Sequence, residues 1–163
     1  MKIELRQLSL QDGETFHEMI QEIGPGENWF ENSWYNKDFQ EFLQKNDNNA
    51  KGIELPEWYV PQTIYRLLID DQPVWYGKLR HTLTEYLLKV WWHCWYCIRP
   101  SARGKWYWNI ILQEILGEAK EKWIMKMLLT CDPENIASRK VIEKNWGILE
   151  NIEEKCRYWI NIK

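Results

Sequence analysis

A short basic turn between a predicted strand and a predicted helix is the part of this sequence best suited to chemistry. The turn reads RGKWYW, so two positive charges, Arg103 and Lys105, stand close to the start of the helix. Successive backbone N–H groups at a helix N-terminus, aided by the helix dipole, form an anion site. The pattern predicts a pyrophosphate site over the residues Arg103, Gly104, Lys105, Trp106, Tyr107 and Trp108.

Tryptophan occupies positions in this chain where such a pattern would need glycine. The chain contains twelve tryptophans and eight glycines. A backbone that approaches phosphate oxygens closely and turns freely needs glycine, because glycine has no side chain. Trp106 and Trp108 place indoles there instead.

We hypothesise that most of these tryptophans stand for glycine in the functional protein. Glycine and tryptophan codons differ at one base, and some lineages read UGA as glycine. Turn-like contexts such as PGENW, NSWYN and KNWG agree with this hypothesis, whereas Trp159 continues an alternating strand pattern and looks native. The alternative is that the indoles are ordinary core or surface aromatics. The positions concerned are Trp29, Trp34, Trp58, Trp75, Trp91, Trp92, Trp95, Trp106, Trp108, Trp123 and Trp146.

Two histidines are candidates for a general base. His93 begins a predicted central strand, and His81 ends the strand before it. An imidazole suits proton transfer because its pKa lies near neutrality. The alternative for each is a structural role, in which the ring bonds a backbone group or caps the sheet.

Composition excludes several classes of function. The net charge is −3 with both signs interspersed, so the basic surface of a nucleic-acid-binding protein is missing. No uncharged apolar run approaches the roughly 18 residues needed to cross a bilayer, and the N-terminus does not read as a secretory signal. These features predict a single cytoplasmic domain over residues 1–163, without a membrane partner.

The four cysteines predict no metal centre. Cys94 and Cys97 are three apart in a strand pattern, which places their side chains on opposite faces. No second pair of cysteines or histidines completes a zinc site. We interpret all four as packed thiols in a reduced compartment.

The first half of the chain alternates strands and helices. Residues 2–8 read as a strand, and Asp12 opens a helical stretch that runs through Ile23. A second helix is predicted over residues 37–46, and the polar NDNNAKG that follows is predicted to be a surface loop. Two strands, Gln62 to Ile69 and Val74 to Leu83, flank a predicted hairpin turn at residues 70–73.

The second half predicts a strand–turn–helix–strand unit with parallel pairing. The strand covers His93 to Ile98, the helix about Tyr107 to Lys122, and the next strand Ile124 to Thr130. Asn135 is predicted to cap a further helix that ends near residues 145–147. The last strands are predicted at Ile148 to Ile152 and Lys155 to Ile162.

These segments together resemble the GNAT superfamily of acyl-CoA-dependent N-acetyltransferases. The turn, with glycine restored, fits the signature Arg/Gln-x-x-Gly-x-Gly/Ala of that family. The stretches YVPQT, KLRHTL, HCWYCIRPSARGKWYW, LLTCDPENIASRKVIEKNWG and RYWI resemble one bacterial branch of predicted acetyltransferases. The resemblance implies an α+β fold with a mixed, mostly antiparallel sheet of six to seven strands and about four helices. It also implies that the fourth and fifth strands are parallel and splayed.

The resemblance further implies a site for acetyl-CoA. Tyr96, Cys97 and Ile98 would pair with pantetheine as an added strand. Residues 103–108 would hold the pyrophosphate, and Asn135 would contact the pantetheine arm. The family often has a tyrosine that acts as the general acid, but this chain has Ile142 at that position. Ser138 or a water would then have to serve as the general acid.

The implied reaction is transfer of an acetyl group from acetyl-CoA to a primary amine through a ternary complex. The acceptor would be a small molecule or a peptide, and the protein a monomer or a homodimer. The alternative is a catalytically inactive GNAT-like domain, or a tryptophan-rich module that binds sugar rings or methylammonium groups.

Overall fold

A computed structural model describes residues 1–27, 30–90, 93–105 and 107–162. The hypotheses about Trp29, Trp91, Trp92 and Trp106 therefore fall outside the described residues. The chain divides into two compact units, Met1–Lys78 with Tyr96–Lys105, and Leu79–Trp95 with Trp106–Lys163. The expectation of one domain over residues 1–163 stays a prediction.

The elements alternate along the chain much as the sequence pattern predicts. The strands are β1 (Ile3–Gln7), β2 (Gly26–Glu27), β3 (Phe30–Glu31), β4 (Gln62–Ile69), β5 (Gln72–Arg80), β6 (Cys94–Ile98), β7 (Lys126–Cys131), β8 (Ile148–Ile152) and β9 (Cys156–Asn161). The helices are α1 (Glu14–Ile23), α2 (Phe39–Lys51), α3 (Glu85–Val90), α4 (Tyr107–Glu121) and α5 (Ile136–Lys144), with a 3₁₀ turn at Pro100–Ala102. None of the helices in the described ranges combines the length and apolar character needed to cross a bilayer.

The strands form separate sheets rather than the one sheet that was expected. A four-stranded sheet has the order β1-β4-β5-β6, a three-stranded sheet has the order β7-β9-β8, and β2 pairs with β3. Every strand pair whose register is described is antiparallel. The α+β class is confirmed, whereas the described residues hold five α-helices instead of about four, because α3 had no clear sequence pattern.

The hairpin between β4 and β5 is tighter than the sequence predicts. Asp70 and Asp71 both have left-handed backbones, with φ of 50° and 64°. Two successive left-handed residues close a two-residue hairpin whose twist matches that of the strands. Strand β5 therefore begins at Gln72 and includes Pro73, instead of beginning at Val74, and it ends at Arg80.

Asp12 does not open α1, contrary to the prediction from the sequence. The helix begins at Glu14 with Gly13 as its N-cap. The carboxylate of Asp12 is buried, accepts a hydrogen bond from the Ser9 N–H at 2.7 Å and forms an ion pair with Arg66 of β4. A buried charge needs such a partner, and that partner lies too far along the chain for the local pattern to show it.

The predicted surface loop NDNNAKG is instead the second half of α2. Asn46 and Asn49 are buried in this helix, and Asn46 Nδ2 donates to the Phe42 carbonyl at 2.8 Å. Asparagine is a weak helix former, and here tertiary packing of α2 against β4 overrides that weakness. The helix ends at Gly52, which has a left-handed φ of 71°.

The second unit is built around β9, which pairs with β7 on one side and β8 on the other. Side chains of β7 and β9 form its core with one face of α4. The fully or nearly fully buried ones include Ile111, Ile115, Ala119, Met127, Leu128, Tyr158 and Ile160. The helical period predicts that Ile110, Ile111, Ile115 and Ala119 share one face of α4; three of them are buried, and Ile110 is half-buried.

Two tryptophans occupy helix-ending positions that favour glycine. At the end of α4, Trp123 N–H bonds the Lys120 carbonyl and Ile124 N–H bonds the Ala119 carbonyl; at the end of α5, Trp146 and Gly147 repeat the pattern. This is the Schellman arrangement, whose left-handed residue is usually glycine. The φ values are 59° at Trp123 and 66° at Trp146, and both indoles are more than 80% exposed. The end of α2 shows the left-handed position filled by Gly52.

Other described tryptophans lack this backbone signature. Trp75 is fully buried in β5, near the ring of Tyr96, and its indole N–H has no hydrogen-bond partner. Trp34 packs edge-on against Phe42 at 5.1 Å. Neither residue has a positive φ. The backbone conformation therefore supports the glycine hypothesis at residues 123 and 146, and it gives no support at residues 34 and 75.

We predict that Trp123→Gly and Trp146→Gly each raise the free energy of unfolding by about 1 kcal/mol. A left-handed backbone costs a residue with a Cβ about 1–2 kcal/mol, which the greater flexibility of glycine in the unfolded chain offsets in part. Urea denaturation measures the change. Trp58→Gly is the matched control, because Trp58 is also exposed but has no positive φ, and it should give no gain. An equal gain at all three positions would contradict the explanation.

Candidate functional site

The basic turn after β6 is anchored by a carboxylate from α1. Glu22 accepts a hydrogen bond from the Ser101 N–H at 2.8 Å and forms an ion pair with the Arg99 guanidinium. Arg99 N–H in turn donates to the Val74 carbonyl of β5 at 2.9 Å. Although burial acts to raise the pKa of Glu22, the hydrogen bonds from Arg99 and Ser101 lower it below its ordinary value. The start of the turn is therefore held by a charged anchor.

The turn then presents exposed basic residues on a tight backbone. Ala102 is buried, whereas Arg103, Gly104 and Lys105 are exposed. Gly104 has a φ of 77°, and a Cβ built on it would meet nothing within 4 Å. The left-handed backbone thus explains the glycine here, and the space around it is open. Helix α4 follows at Tyr107, and Tyr107 and Trp108 are half-buried in its first turn.

The three residues expected to pair with pantetheine lie at the end of β6. Tyr96 is half-buried with its ring centroid 6.5 Å from that of Trp75, and Cys97 and Ile98 are buried. Strand β6 is the last strand of its sheet in the hydrogen-bonded order. The Cys97 thiol lies 3.7 Å from the Ile98 carbonyl, and burial raises the pKa of the Cys94 thiol to about 12. Both thiols are packed side chains of β6.

His93 uses its ring nitrogen and its backbone to hold neighbouring strands. Its Nδ1 accepts a hydrogen bond from the Leu128 N–H at 2.9 Å. Its own N–H donates to the Leu128 carbonyl at 3.1 Å, and its carbonyl accepts from the Arg80 N–H at 2.8 Å. Burial, with the nearby charge of Arg80, lowers the pKa of His93 to about 4. The Nδ1 lone pair is therefore committed to a backbone amide, and the ring is neutral at physiological pH.

His81 follows β5 directly and is half-buried. Burial, and then the positive charge of Lys122, lowers its pKa below the ordinary value of 6.5. A neutral imidazole at neutral pH is the form that accepts a proton. Both histidines suggested by the sequence are therefore neutral at neutral pH.

Asn135 is the N-cap of α5, as the sequence predicts. Its Oδ1 accepts a hydrogen bond from the Ser138 N–H at 3.0 Å, and both residues lie in the first turn of the helix. Asn135 is exposed and Ser138 is half-buried. The side-chain oxygen of Asn135 thus has a structural task, which leaves its NH₂ group as the part that can meet a ligand.

A tyrosine from β9 lies against the same helix. The Tyr158 hydroxyl donates to Glu143 at 2.7 Å and accepts from the Arg139 Nε at 3.1 Å. Burial and the hydrogen bond to Glu143 raise the pKa of Tyr158. The phenol is fully buried and its proton is held by Glu143, so it does not replace the acid missing at Ile142.

No metal site accompanies these residues within the described ranges, where no group of three or more His, Cys, Asp or Glu side chains converges. The features described are an exposed basic turn, a terminal strand of a sheet and a half-buried histidine.

Comparison with known proteins relates this geometry to a known fold. No protein-family profile matches the chain, and no curated protein matches it significantly. Among solved structures, an N-acetyltransferase from Staphylococcus aureus Mu50 matches at a TM-score of 0.67 and 13% identity, covering 100% of both chains. A GNAT-family acetyltransferase from Streptococcus pneumoniae matches at a TM-score of 0.64 and 12% identity, and the match covers 99% of this chain and 100% of the other.

A third match is the PaiA N-acetyltransferase from Thermoplasma acidophilum in complex with coenzyme A. Its TM-score is 0.63 at 18% identity, and the match covers 99% of both chains. This chain has the GNAT acetyltransferase fold. At these identities the similarity is one of fold, and it confirms the GNAT-like α+β class that the resemblance implied.

Three residues that support the site within this GNAT fold were not found by sequence reasoning. They are Glu22, which anchors the turn, and Arg80 and Leu128, which bond His93. Glu22 lies on the polar face of the amphipathic helix α1, where a glutamate is expected, so the sequence gives no sign of its role. Leu128 acts through its backbone, which no side-chain pattern reports.

We predict that Glu22→Gln loosens the turn. A hydrogen bond to a charged group contributes about 1.5–3 kcal/mol, so the Ser101 amide should exchange with solvent about tenfold faster or more. Hydrogen exchange followed by mass spectrometry or NMR measures this. Glu18→Gln is the control, because Glu18 is an exposed carboxylate on the same helix. Unchanged exchange in Glu22→Gln would show that the carboxylate does not hold the turn.

Proposed function

We propose that this protein transfers an acetyl group from acetyl-CoA to a primary amine of a small molecule or a peptide. The observation that carries the proposal is a GNAT fold whose exposed basic turn, with a left-handed Gly104, directly precedes α4. Acetyl-CoA is the donor of choice because its pyrophosphate needs such a turn and because a protein of the same fold holds coenzyme A.

The turn is the proposed pyrophosphate site. Arg103 and Lys105 supply exposed positive charge, and Gly104 allows close approach of the main chain. The first turn of α4, with Tyr107 and Trp108, adds the helix dipole. Trp106 completes the stretch of residues 103–108 in the sequence, and we expect glycine at positions 106 and 108 to improve binding.

The end of β6 is the proposed pantetheine site. The backbone of Tyr96, Cys97 and Ile98 would pair with the amides of pantetheine as a β-strand does. We propose that β6 and β7 are the parallel, splayed pair of the family. Their membership of different sheets, together with the hydrogen bonds of His93 to Leu128, supports this. The NH₂ group of Asn135 would contact the pantetheine arm.

His81 is the proposed general base. It takes the proton from the substrate ammonium, and the free amine then attacks the thioester carbonyl. This attack forms the C–N bond and leaves a positively charged nitrogen in the tetrahedral intermediate. When the intermediate collapses, the C–S bond breaks and the CoA thiolate leaves. The nitrogen loses its second proton, which the Ser138 hydroxyl or a water would pass to the thiolate. A lysine-like amine with a pKa near 10.4 requires such a base.

We predict that the double substitution Arg103→Ala and Lys105→Ala weakens acetyl-CoA binding by about tenfold or more. Each charge-assisted hydrogen bond to a phosphate contributes about 1.5–3 kcal/mol. Isothermal titration with acetyl-CoA measures the affinity. The control is Lys120→Ala, which removes an exposed charge from the other end of α4. Equal affinity for acetyl-CoA in the native protein, the double variant and Lys120→Ala would show that the pyrophosphate binds elsewhere.

We predict that His81→Gln lowers kcat by about 10²–10⁴-fold and leaves acetyl-CoA affinity unchanged. Because the pKa of His81 is depressed, its basic form persists as the pH falls through 6.5, and activity should decline only below that value. The rate of thiol release at saturating acceptor, measured against pH, tests both statements. His17→Gln on α1 is the control. An unchanged kcat in His81→Gln would show that His81 is not the general base.

A binding module is the alternative function. Trp58, Trp123 and Trp146 are exposed by 65%, 86% and 84%, and exposed indoles bind sugar rings or methylammonium groups. An inactive GNAT-like domain would keep the fold without donor affinity. Isothermal titration with acetyl-CoA distinguishes the transferase from both alternatives, because only the transferase requires acetyl-CoA to bind.

A further inference from the structure

Two cysteines of the second unit lie opposite each other in the ladder between β7 and β9. Cys131 is the last residue of β7, Cys156 is the first residue of β9, and the register pairs them directly. Directly opposed residues of an antiparallel pair have Cα atoms about 4.5–5.5 Å apart and side chains on the same face. A disulfide spans Cα separations of about 4.4–6.8 Å. The backbone therefore holds these two free thiols at the spacing that a disulfide requires.

An ion pair holds the same two strand ends together. Asp132 follows Cys131, Lys155 precedes Cys156, and the Lys155 ammonium donates to the Asp132 carboxylate. The two cysteines form the last pair of the described β7–β9 register, so the chain beyond them is not bound by that ladder. A bond between the two sulfurs would thus need only local adjustment at the end of the ladder.

The two thiols differ in their access to solvent. Cys131 is half-buried, whereas Cys156 is fully buried. A small oxidant therefore reaches Cys131 first, and Cys156 is placed to react with the product formed there. Burial, and then the neighbouring Cys156 thiol, raise the pKa of Cys131 to about 12. Because the thiolate is the reacting form, we expect slow reaction at neutral pH and faster reaction at mildly alkaline pH.

We propose that Cys131 and Cys156 form a reversible intramolecular disulfide when the protein meets a low-molecular-weight disulfide, RSSR. The Cys131 thiolate attacks one sulfur of RSSR, which gives a mixed disulfide and releases RS⁻. The Cys156 thiolate then attacks the Cys131 sulfur and releases the second RS⁻. The two cysteines lose two electrons, which reduce RSSR, and two protons, which convert both leaving thiolates to RSH.

The disulfide would close a loop over residues 131–156, which contain α5 and β8. Closing a loop restricts the unfolded chain and so stabilises the folded one. Oxidation thereby makes this part of the second unit more resistant to unfolding. The step uses neither the basic turn nor His81, so it stands or falls independently of the proposed acetyl transfer.

The other two cysteines serve as an internal comparison. Cys94 and Cys97 are both buried in β6 and lie three residues apart on that strand. Their side chains point to opposite faces, which prevents a bond between them. An oxidant that attacks thiols without regard to geometry would not select Cys131 and Cys156 from the four.

Peptide mapping of the full chain after treatment with oxidised glutathione at mildly alkaline pH is the first measurement. We expect two of the four free thiols to be lost, and one linked peptide pair that contains Cys131 and Cys156. Dithiothreitol should restore both thiols. Cys131→Ser should give no linked pair, whereas the control Cys94→Ala should give the same pair as the native protein. If either variant does not fold, the map of the native protein decides alone.

Several outcomes of the mapping would overturn the proposal. They are thiols that stay unreacted after prolonged exposure, a stable glutathione adduct at Cys131 without a linked pair, a link to Cys94 or Cys97, and a covalent dimer of the chain. Each would show that the register of β7 and β9 does not bring the two sulfurs together for reaction.

The thermal midpoint is the second measurement. We expect the oxidised native protein to unfold about 5–10 °C above the reduced protein, because the new bond closes a loop that the reduced chain leaves open. Cys131→Ser treated with the same oxidant should show no such rise. An unchanged or lower midpoint in the oxidised native protein would show that the bond strains the ladder, and it would contradict the claim that the strands already hold the required spacing.

Discussion

A buried peptide group must find hydrogen-bond partners, and the peptide groups at the start of β6 and within β7 show how this chain meets that constraint. Leu128 lies in the core and bonds to His93 through both its carbonyl and its amide. One of these partners is the imidazole side chain. The described strands fall into a four-stranded, a three-stranded and a two-stranded sheet. The Nδ1 of His93 is thus occupied, and burial with the charge of Arg80 keeps the ring neutral, so His93 is poorly suited to accept a substrate proton.

The proposed donor site depends on a second constraint, which is that a basic turn needs an anchor. Glu22 satisfies the guanidinium of Arg99 and the amide of Ser101 at the start of the turn. Gly104 then reverses the chain with a left-handed backbone, and α4 follows. Charge at Arg103 and Lys105 is left at the surface. We propose a diphosphate as the ligand of this stretch, because two exposed cations stand directly before the start of a helix in the sequence.

Local chemistry made much of this predictable from sequence. The turn residues, the hairpin at Asp70 and Asp71, and the cap at Asn135 all depend on neighbours within a few positions, and each was found. The glycine hypothesis drew support at Trp123 and Trp146, because a helix end dictates its own backbone conformation. The sequence could not show that Asp12 pairs with Arg66, that Asn46 and Asn49 are buried, or that Nδ1 of His93 meets Leu128. Those contacts join residues that are distant along the chain or act through the backbone.

We propose that the turn after β6 binds the pyrophosphate of acetyl-CoA and that glycine at positions 106 and 108 strengthens this binding. The most direct test is the thermal midpoint of the chain carrying Trp106→Gly and Trp108→Gly, measured over a series of acetyl-CoA concentrations. A ligand that binds only the folded state stabilises it by about 2.7 kcal/mol at one hundred times its Kd. We expect the midpoint to rise steadily with acetyl-CoA concentration. A midpoint that stays constant up to millimolar acetyl-CoA would show that this turn does not bind the donor.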